Sequence, residues 1–179
     1  MPDLSQRLFF ALLPDEGVRT QLRQLQKDLN RADGRPVPAK NLHLTLLFLG
    51  NVAADKINAV CDIAEGIAGS QFDLTLDMSG SFRQNNARVL WLGASKPPPE
   101  LGVLHQSLCQ QAKSIGLPVR KETYRPHVTL ARKVYSRYRL PERPDRSIPW
   151  TIHRCALITS ELLPTGSRYK VLVEKELSE

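Results

Sequence analysis

Two four-residue segments of this 179-residue chain share one pattern, His-x-Thr-Leu. They are His43–Leu46 and His127–Leu130, and they contain two of the four histidines. Each lies in a mostly apolar stretch typical of a strand, where side chains two positions apart point to the same face. Each motif therefore presents an imidazole beside a hydroxyl, and the repetition predicts that both pairs face one cleft.

Two imidazoles facing one cleft suit acid–base catalysis on a phosphate ester. Near neutral pH one ring takes a proton from water while the other protonates the leaving oxygen. The hydroxyls of Thr45 and Thr129 can donate hydrogen bonds to the non-bridging phosphate oxygens, where transition-state charge accumulates. Neither motif is accompanied by the ligand spacing of a metal site or by a phosphate-cradling glycine loop. We therefore predict an enzyme without a metal or another cofactor.

The composition points to an anionic partner and to a reducing compartment. The 25 Lys and Arg residues exceed the 18 Asp and Glu residues, which favours nucleic acid as the partner. The longest apolar run stops at Pro14 and is too short to span a membrane.

The three cysteines are odd in number and widely spread, a pattern typical of reduced thiols in the cytosol rather than of a disulfide framework. We expect a cytoplasmic monomer with no membrane contact and no protein partner.

The periodicity of apolar residues predicts an α+β fold. Three- and four-residue steps predict three helices: one capped by Asp15 and extending to Leu29, one over 55–67, and one over 101–116. Alternation over 72–79 predicts a half-buried strand that forms a hairpin with 88–92 across the polar turn at 84–86. Two later strands, 151–161 and 168–177, flank a turn at 163–166. The plan repeats, so we predict one domain over 1–179 made of two similar lobes.

The motifs and their surroundings resemble the two-histidine phosphoesterase superfamily, specifically the bacterial RNA 2′,3′-cyclic phosphodiesterases, also called 2′-5′ RNA ligases. The resemblance covers nearly the whole chain and is carried by Arg7–Pro14, Asn41–Gly50, Val89–Gly93 and Tyr124–Arg132. It implies a bilobal, pseudo-symmetric fold in which two antiparallel sheets flank a central basic cleft. One motif lies in each lobe and the helices lie on the outside.

The activity implied by this resemblance is the opening of a 2′,3′-cyclic phosphate at an RNA end, such as the end of a tRNA fragment, to leave a 2′-phosphate. Members also join RNA ends through a 2′-5′ linkage without ATP. By the same resemblance His43 is the proton donor and His127 the proton acceptor, while Thr45 and Thr129 hold the phosphate oxygens. The residues alone do not separate donor from acceptor, because the two motifs are nearly identical.

Three further residues are candidates for binding substrate. Phe48 and Arg132 each lie five residues after a motif histidine, so strand alternation places both on the opposite face unless a bulge intervenes. For Phe48 this position favours the core, with stacking on a base as the alternative. For Arg132 the resemblance implies a phosphate contact, which suits a guanidinium. Tyr124 is predicted at the rim of the cleft, whereas His105 and His153 are predicted to be structural or on the surface.

Several alternatives stay open. The basic segment 132–146, with interleaved tyrosines, either grips single-stranded RNA or is a solvated loop. The same chemistry suits small cyclic nucleotides and 2′-5′-linked oligonucleotides. A module that binds RNA ends without turnover is a third hypothesis, and it predicts that replacing both motif histidines leaves the biological effect intact.

Overall fold

We describe the fold from a computed structural model, which describes residues 5–28, 33–120, 123–136, 140–164 and 166–179. The predicted helix position Leu29 therefore lies outside the described residues. In chain order the elements are β1 (Gln6–Leu12), α1 (Glu16–Asp28), β2 (Arg35–Pro36), β3 (Leu44–Val52), α2 (Ala54–Glu65), β4 (Phe72–Leu76), β5 (Met78–Gln84), β6 (Ala87–Gly93), α3 (Pro99–Ser114), β7 (His127–Val134), β8 (Ile148–Ile152), β9 (Arg154–Leu163) and β10 (Gly166–Glu176).

The strands form one large antiparallel sheet and one small sheet. The order of the large sheet is β10-β9-β1-β3-β7-β6-β5, with β2 also paired to β7. At its centre β3 and β7 pair only at Leu44 and Val128, so the two halves of the sheet meet at a single residue pair. The fold is therefore α+β, as predicted, and each half contains one motif strand.

The predicted hairpin between 72–79 and 88–92 is wrong in its first strand. Phe72–Leu76 pairs instead with β8 in the small sheet, and the hairpin is formed by β5 and β6. The predicted strand 151–161 is also interrupted at His153, where the chain passes from the small sheet to the large one. Alternation of apolar and polar residues indicates that a strand has one buried face, but it does not indicate which strand lies beside it.

The helices follow the predicted pattern and cover one face of the sheet. The Asp15 carboxylate accepts a hydrogen bond from the Val18 N–H at 2.8 Å, which is the predicted N-cap of α1. Helix α3 begins at Pro99, where a proline costs the helix no hydrogen bond. The apolar residues at three- and four-residue steps along this helix are all buried: Leu101, Leu104, Leu108 and Ala112.

The main core lies between the helices and the sheet, and a second, small cluster lies on the opposite face of the sheet. This small cluster consists of Phe9, Ala11, Ala156 and Ile158, with Leu13 and Tyr169 packed against it. The three cysteines are not joined in disulfides. No helix among the described residues is long and apolar enough to cross a membrane.

Candidate active site

The two motifs meet where the two halves of the large sheet join. Leu44 and Val128 pair there, and both side chains are fully buried on the helix-covered face. The residues on either side of them therefore point to the opposite face. His43 and Thr129 line the same groove, and His127 lies close enough to lower the pKa of His43. Polar residues of both motifs therefore lie close together on this face.

Both motif histidines are oriented by the same hydrogen bond. His43 Nδ1 lies 2.7 Å from the Asn41 carbonyl oxygen, and His127 Nδ1 lies 2.7 Å from the Arg125 carbonyl oxygen. Because a carbonyl oxygen only accepts, Nδ1 of each ring carries the proton, and Nε2 is the atom left for chemistry. His43 Nε2 lies 3.1 Å from the Thr45 hydroxyl, as the spacing of the motif predicted.

An aromatic pair supports each histidine ring. His43 packs against Phe9 and Tyr169, with ring centroids 5.0 and 5.4 Å away. His127 packs against Phe82 at 4.9 Å and against Trp91 at 6.1 Å. Phe9 and Trp91 lie on β1 and β6, the strands next to the motif strands, whereas Tyr169 and Phe82 lie on the outer strands β10 and β5. The sequence analysis did not assign any of the four to the site. The repeated motif does not predict these contacts, because the residues that neighbour a side chain across a sheet depend on how the strands are aligned with one another.

Burial lowers the pKa of both imidazoles. The pKa of His43 is lowered to about 4, chiefly by desolvation and further by the charges of Arg132 and His127, although the Asn41 carbonyl acts in the opposite direction. Desolvation and Arg132 also lower the pKa of His127, against the effect of the Arg125 carbonyl. Arg132 acts on both rings, and His127 acts on His43, so the three groups lie close together.

Each motif strand has a β-bulge immediately after its threonine. Along β1 and β3, Ala11 pairs with Thr45 and Phe10 with Leu47, which leaves Leu46 as the extra residue. Along β6 and β7, Trp91 pairs with Thr129 and Leu90 with Ala131, which leaves Leu130 as the extra residue. A bulge reverses the alternation beyond it. The fifth residue after each histidine therefore lies on the face of that histidine.

The bulges decide the position of Phe48 and Arg132. The prediction that Phe48 lies in the core is wrong: its side chain is 36% exposed, and the Arg7 guanidinium lies 4.7 Å from its ring centroid. The structure brings Arg132 into a groove that is also lined by His43 and Thr129. In a strand without a bulge, both residues would lie on the face opposite the histidines. The bulge that the sequence analysis named as the exception is present in both motif strands.

The groove that contains Arg132 is basic and has a volume of about 480 Å³. Its other cationic lining residues are Arg35, Lys40, Lys133 and Arg168. These side chains come from the first and the second half of the chain, which explains why no single basic run marked them in the sequence. The arrangement favours an elongated anion that extends away from the two histidines.

Tyr124 contacts the first motif and helix α3. Its hydroxyl donates a hydrogen bond to the Thr45 carbonyl at 3.2 Å, and its ring stacks on His105 at 3.9 Å. His105 Nδ1 in turn lies 2.8 Å from the Leu46 carbonyl oxygen, so the structural role predicted for this histidine is confirmed. Contact of Tyr124 with substrate stays a prediction.

The basic segment 132–146 begins inside β7. Beyond the strand, Asp33 accepts hydrogen bonds from the N–H groups of Tyr135 and Ser136 at 3.1 and 3.0 Å. Tyr135 is exposed, and residues 137–139, which contribute two arginines and a tyrosine to the segment, lie outside the described residues. RNA binding by this segment stays a prediction.

Across the described ranges, no group of three or more His, Cys, Asp or Glu side chains is placed to hold a metal ion. The titratable groups at this site include the two histidines, Arg132 and Tyr169, which packs against the His43 ring. The arrangement is suited to proton transfer beside a bound anion.

Comparisons with known proteins agree with this geometry. The family model described as LigT like phosphoesterase matches residues 12–91, which include the first motif. The RNA 2′,3′-cyclic phosphodiesterase of Escherichia coli strain K12 is 37% identical over 169 residues, which are 93% of this chain and 94% of that protein. The structure of E. coli LigT in apo form has 34% identity and a TM-score of 0.84, with coverage of 98% of this chain and 99% of that one. E. coli LigT complexed with 3′-AMP gives a TM-score of 0.85 at the same identity and coverage.

Proposed function

Since the chain belongs to the LigT-like phosphoesterases, we propose that it hydrolyses 2′,3′-cyclic phosphate ends of RNA to 2′-phosphate ends, and that it does so without a metal ion. The observation that carries the proposal is the matched pair of Nδ1–H to carbonyl hydrogen bonds, which makes Nε2 of each imidazole the nitrogen that handles protons at one site. A relative that is 37% identical over most of the chain is named RNA 2′,3′-cyclic phosphodiesterase, which supports the same substrate.

Ring opening consumes one water molecule. Its oxygen bonds to phosphorus, the bond from phosphorus to O3′ breaks, and the products are a 2′-phosphate and a 3′-hydroxyl. His127 Nε2 accepts the proton of the attacking water, and His43 Nε2–H donates a proton to O3′. The division of roles follows the resemblance of the motifs. Exchange of protons with solvent then restores both histidines.

The negative charge of the substrate favours the protonated form of His43, which is the form that can donate a proton. Without an anion beside it, burial holds the pKa of His43 at about 4, and its ring is neutral at pH 7. A phosphodiester places negative charge next to the ring and therefore raises that pKa. This dependence links protonation of the donor to the presence of substrate.

Three residues hold the phosphate in this proposal. The hydroxyls of Thr45 and Thr129 donate to the non-bridging oxygens, and Arg132 contributes a guanidinium from the groove lined by His43 and Thr129. Phe48 offers an exposed ring on the same face for a nucleobase. The structure of E. coli LigT complexed with 3′-AMP supports a nucleotide as the ligand.

One chain supplies both motifs, so we propose a monomer in which residues 1–179 form a single domain of two similar lobes. The partner is RNA, with tRNA fragments among the candidates, and the cationic lining of the groove supports an extended strand. Ligation is the same ring opening with a different nucleophile: the 5′-hydroxyl oxygen of a second RNA bonds to phosphorus in place of water, and the bond from phosphorus to O3′ breaks. No ATP is required, because the cyclic phosphate is already an activated ester.

Phosphorus NMR of an RNA oligonucleotide with a 2′,3′-cyclic phosphate end, incubated with the protein in excess EDTA, tests the proposal. We expect conversion to a 2′-phosphate, with a bell-shaped pH dependence. His43→Asn and His127→Asn each keep an N–H directed at the neighbouring carbonyl but lose Nε2, and each is expected to lower kcat about 10²- to 10⁴-fold. His153→Asn, at an exposed position, is the matched control.

An unchanged cyclic phosphate in the presence of the folded wild-type protein would refute the proposed activity. Loss of activity in EDTA that is restored by a divalent cation would refute metal independence. Addition of an RNA with a 5′-hydroxyl end extends the same experiment to ligation, for which a new 2′-5′ phosphodiester signal is expected.

A further inference from the structure

In each motif strand the carbonyl of the bulged residue accepts a hydrogen bond from the side chain of a helix. The Leu46 carbonyl accepts from His105 of α3 at 2.8 Å. The Leu130 carbonyl accepts from Gln26 of α1, also at 2.8 Å. The two helices occupy equivalent places in the two halves of the chain, and neither side chain is required by the two-histidine chemistry.

Gln26 has the more constrained position of the two. It is one of the few buried polar side chains among the described residues, with 8% exposure. Its amide nitrogen donates to the Leu130 carbonyl at 2.8 Å and to the Val37 carbonyl at 2.9 Å, while the Val37 N–H also donates to the Leu130 carbonyl. Gln26 therefore ties β7, at its bulge, to the segment that follows β2.

The bulge at Leu130 is the reason that Arg132 lies on the face of the histidines. Without the extra residue, alternation would turn the side chain of Arg132 towards the helices. The neighbouring strand β2 pairs with β7 through Arg35 and Arg132, and this pairing is adjacent to the bonds made by Gln26. The amide of Gln26 thus holds both strands where the direction of Arg132 is decided.

We propose that Gln26 is a positioning residue that directs Arg132 to the phosphate. His105 has the corresponding relation to Phe48 in the other half. This role for Gln26 rests on the proposed function only where catalysis is measured. Binding of inorganic phosphate provides a second measurement that does not require turnover.

Crossed double-mutant cycles test this coupling. Gln26→Met removes the amide at similar volume, and Arg132→Ala removes the guanidinium. For Gln26→Met in the wild-type background we expect a loss of about 10-fold in kcat/KM on the cyclic-phosphate RNA and a similar loss in phosphate affinity. In the Arg132→Ala background the same change is expected to cost less than about 2-fold, because the group that Gln26 positions is absent.

Phe48→Ala provides the matched control background. There Gln26→Met is expected to keep its full effect of about 10-fold, since the two residues act through different strands. His105→Phe, which keeps the stacking on Tyr124 but removes the N–H donor, is expected to show the opposite pattern. It should depend on Phe48 and be independent of Arg132.

An equal effect of Gln26→Met in the wild-type and Arg132→Ala backgrounds would overturn the proposal, because Gln26 would then have a general structural role. Gln26→Asn keeps the amide but shortens its reach, and it replaces Gln26→Met in the same cycles if that variant does not fold. A wild-type protein that binds phosphate through Arg132 but hydrolyses nothing would refute the proposed function, and the cycle measured in phosphate affinity would still decide the role of Gln26.

Discussion

Burial of His43 makes the stability of the fold depend on pH. Desolvation lowers the pKa of this histidine from 6.5 to about 4 in the folded protein. The unfolded chain therefore takes up a proton near pH 6.5, while the folded chain resists protonation down to about pH 4. The neutral ring contributes stability that is fully present above pH 6.5 and is lost as the pH falls towards 4.

The size of this contribution follows from the shift. A displacement from 6.5 to about 4 corresponds to about 3 kcal/mol in the free energy of unfolding. Because the His43 ring lines a groove and keeps some access to water, we expect the observed loss to be on the order of 2 kcal/mol. The direction is the same for His127, whose pKa is also lowered by burial.

Urea unfolding at pH 7.5 and pH 4.5 measures the effect in the wild-type protein and in His43→Asn. The asparagine keeps an N–H directed at the Asn41 carbonyl but does not titrate. Between the two pH values the wild-type protein should lose about 2 kcal/mol more than the variant. His153→Asn is the control, because it removes a histidine at an exposed position that contacts Gln71.

Equal losses in the wild-type protein and His43→Asn would refute this reasoning. NMR titration of His43 tests the same reasoning directly. A titration midpoint at or above pH 6.5 would show that burial does not control the protonation of this ring. Inorganic phosphate should move this midpoint upwards, because a bound anion favours the imidazolium.

Two further predictions concern the surroundings of the histidines. A Cβ at Gly80 would overlap the Trp91 indole, so Gly80→Ala should lower the free energy of unfolding by about 1–3 kcal/mol, measured in urea. The control is Gly102→Ala, because a Cβ at this helical position meets no atom within 4 Å; it should raise the free energy of unfolding by about 0.5–1 kcal/mol. Thr45→Val removes the hydroxyl 3.1 Å from His43 Nε2 at nearly constant volume, and we expect kcat/KM on the cyclic-phosphate RNA to fall about 10-fold with unchanged stability. Unchanged kinetics in that variant would contradict a role for the hydroxyl.

The sequence by itself determined the features that depend on neighbours in the chain. The two His-x-Thr-Leu motifs place an imidazole and a hydroxyl on one face because alternation is a property of a single strand. The cap at Asp15 and the buried face of α3 follow from local hydrogen bonding and helical periodicity in the same way. The α+β fold class predicted from such patterns is confirmed, and proton transfer by the two motif histidines stays a prediction.

Only the tertiary structure decided which strands lie side by side and where alternation is reversed. The strand Phe72–Leu76 pairs with β8, more than 70 residues away in the chain, and its own pattern does not specify this partner. Phe48 and Arg132 reach the histidine face because bulges form against β1 and β6. Bulges, cross-strand contacts and desolvation are properties of pairs of segments, and a single strand pattern does not encode them.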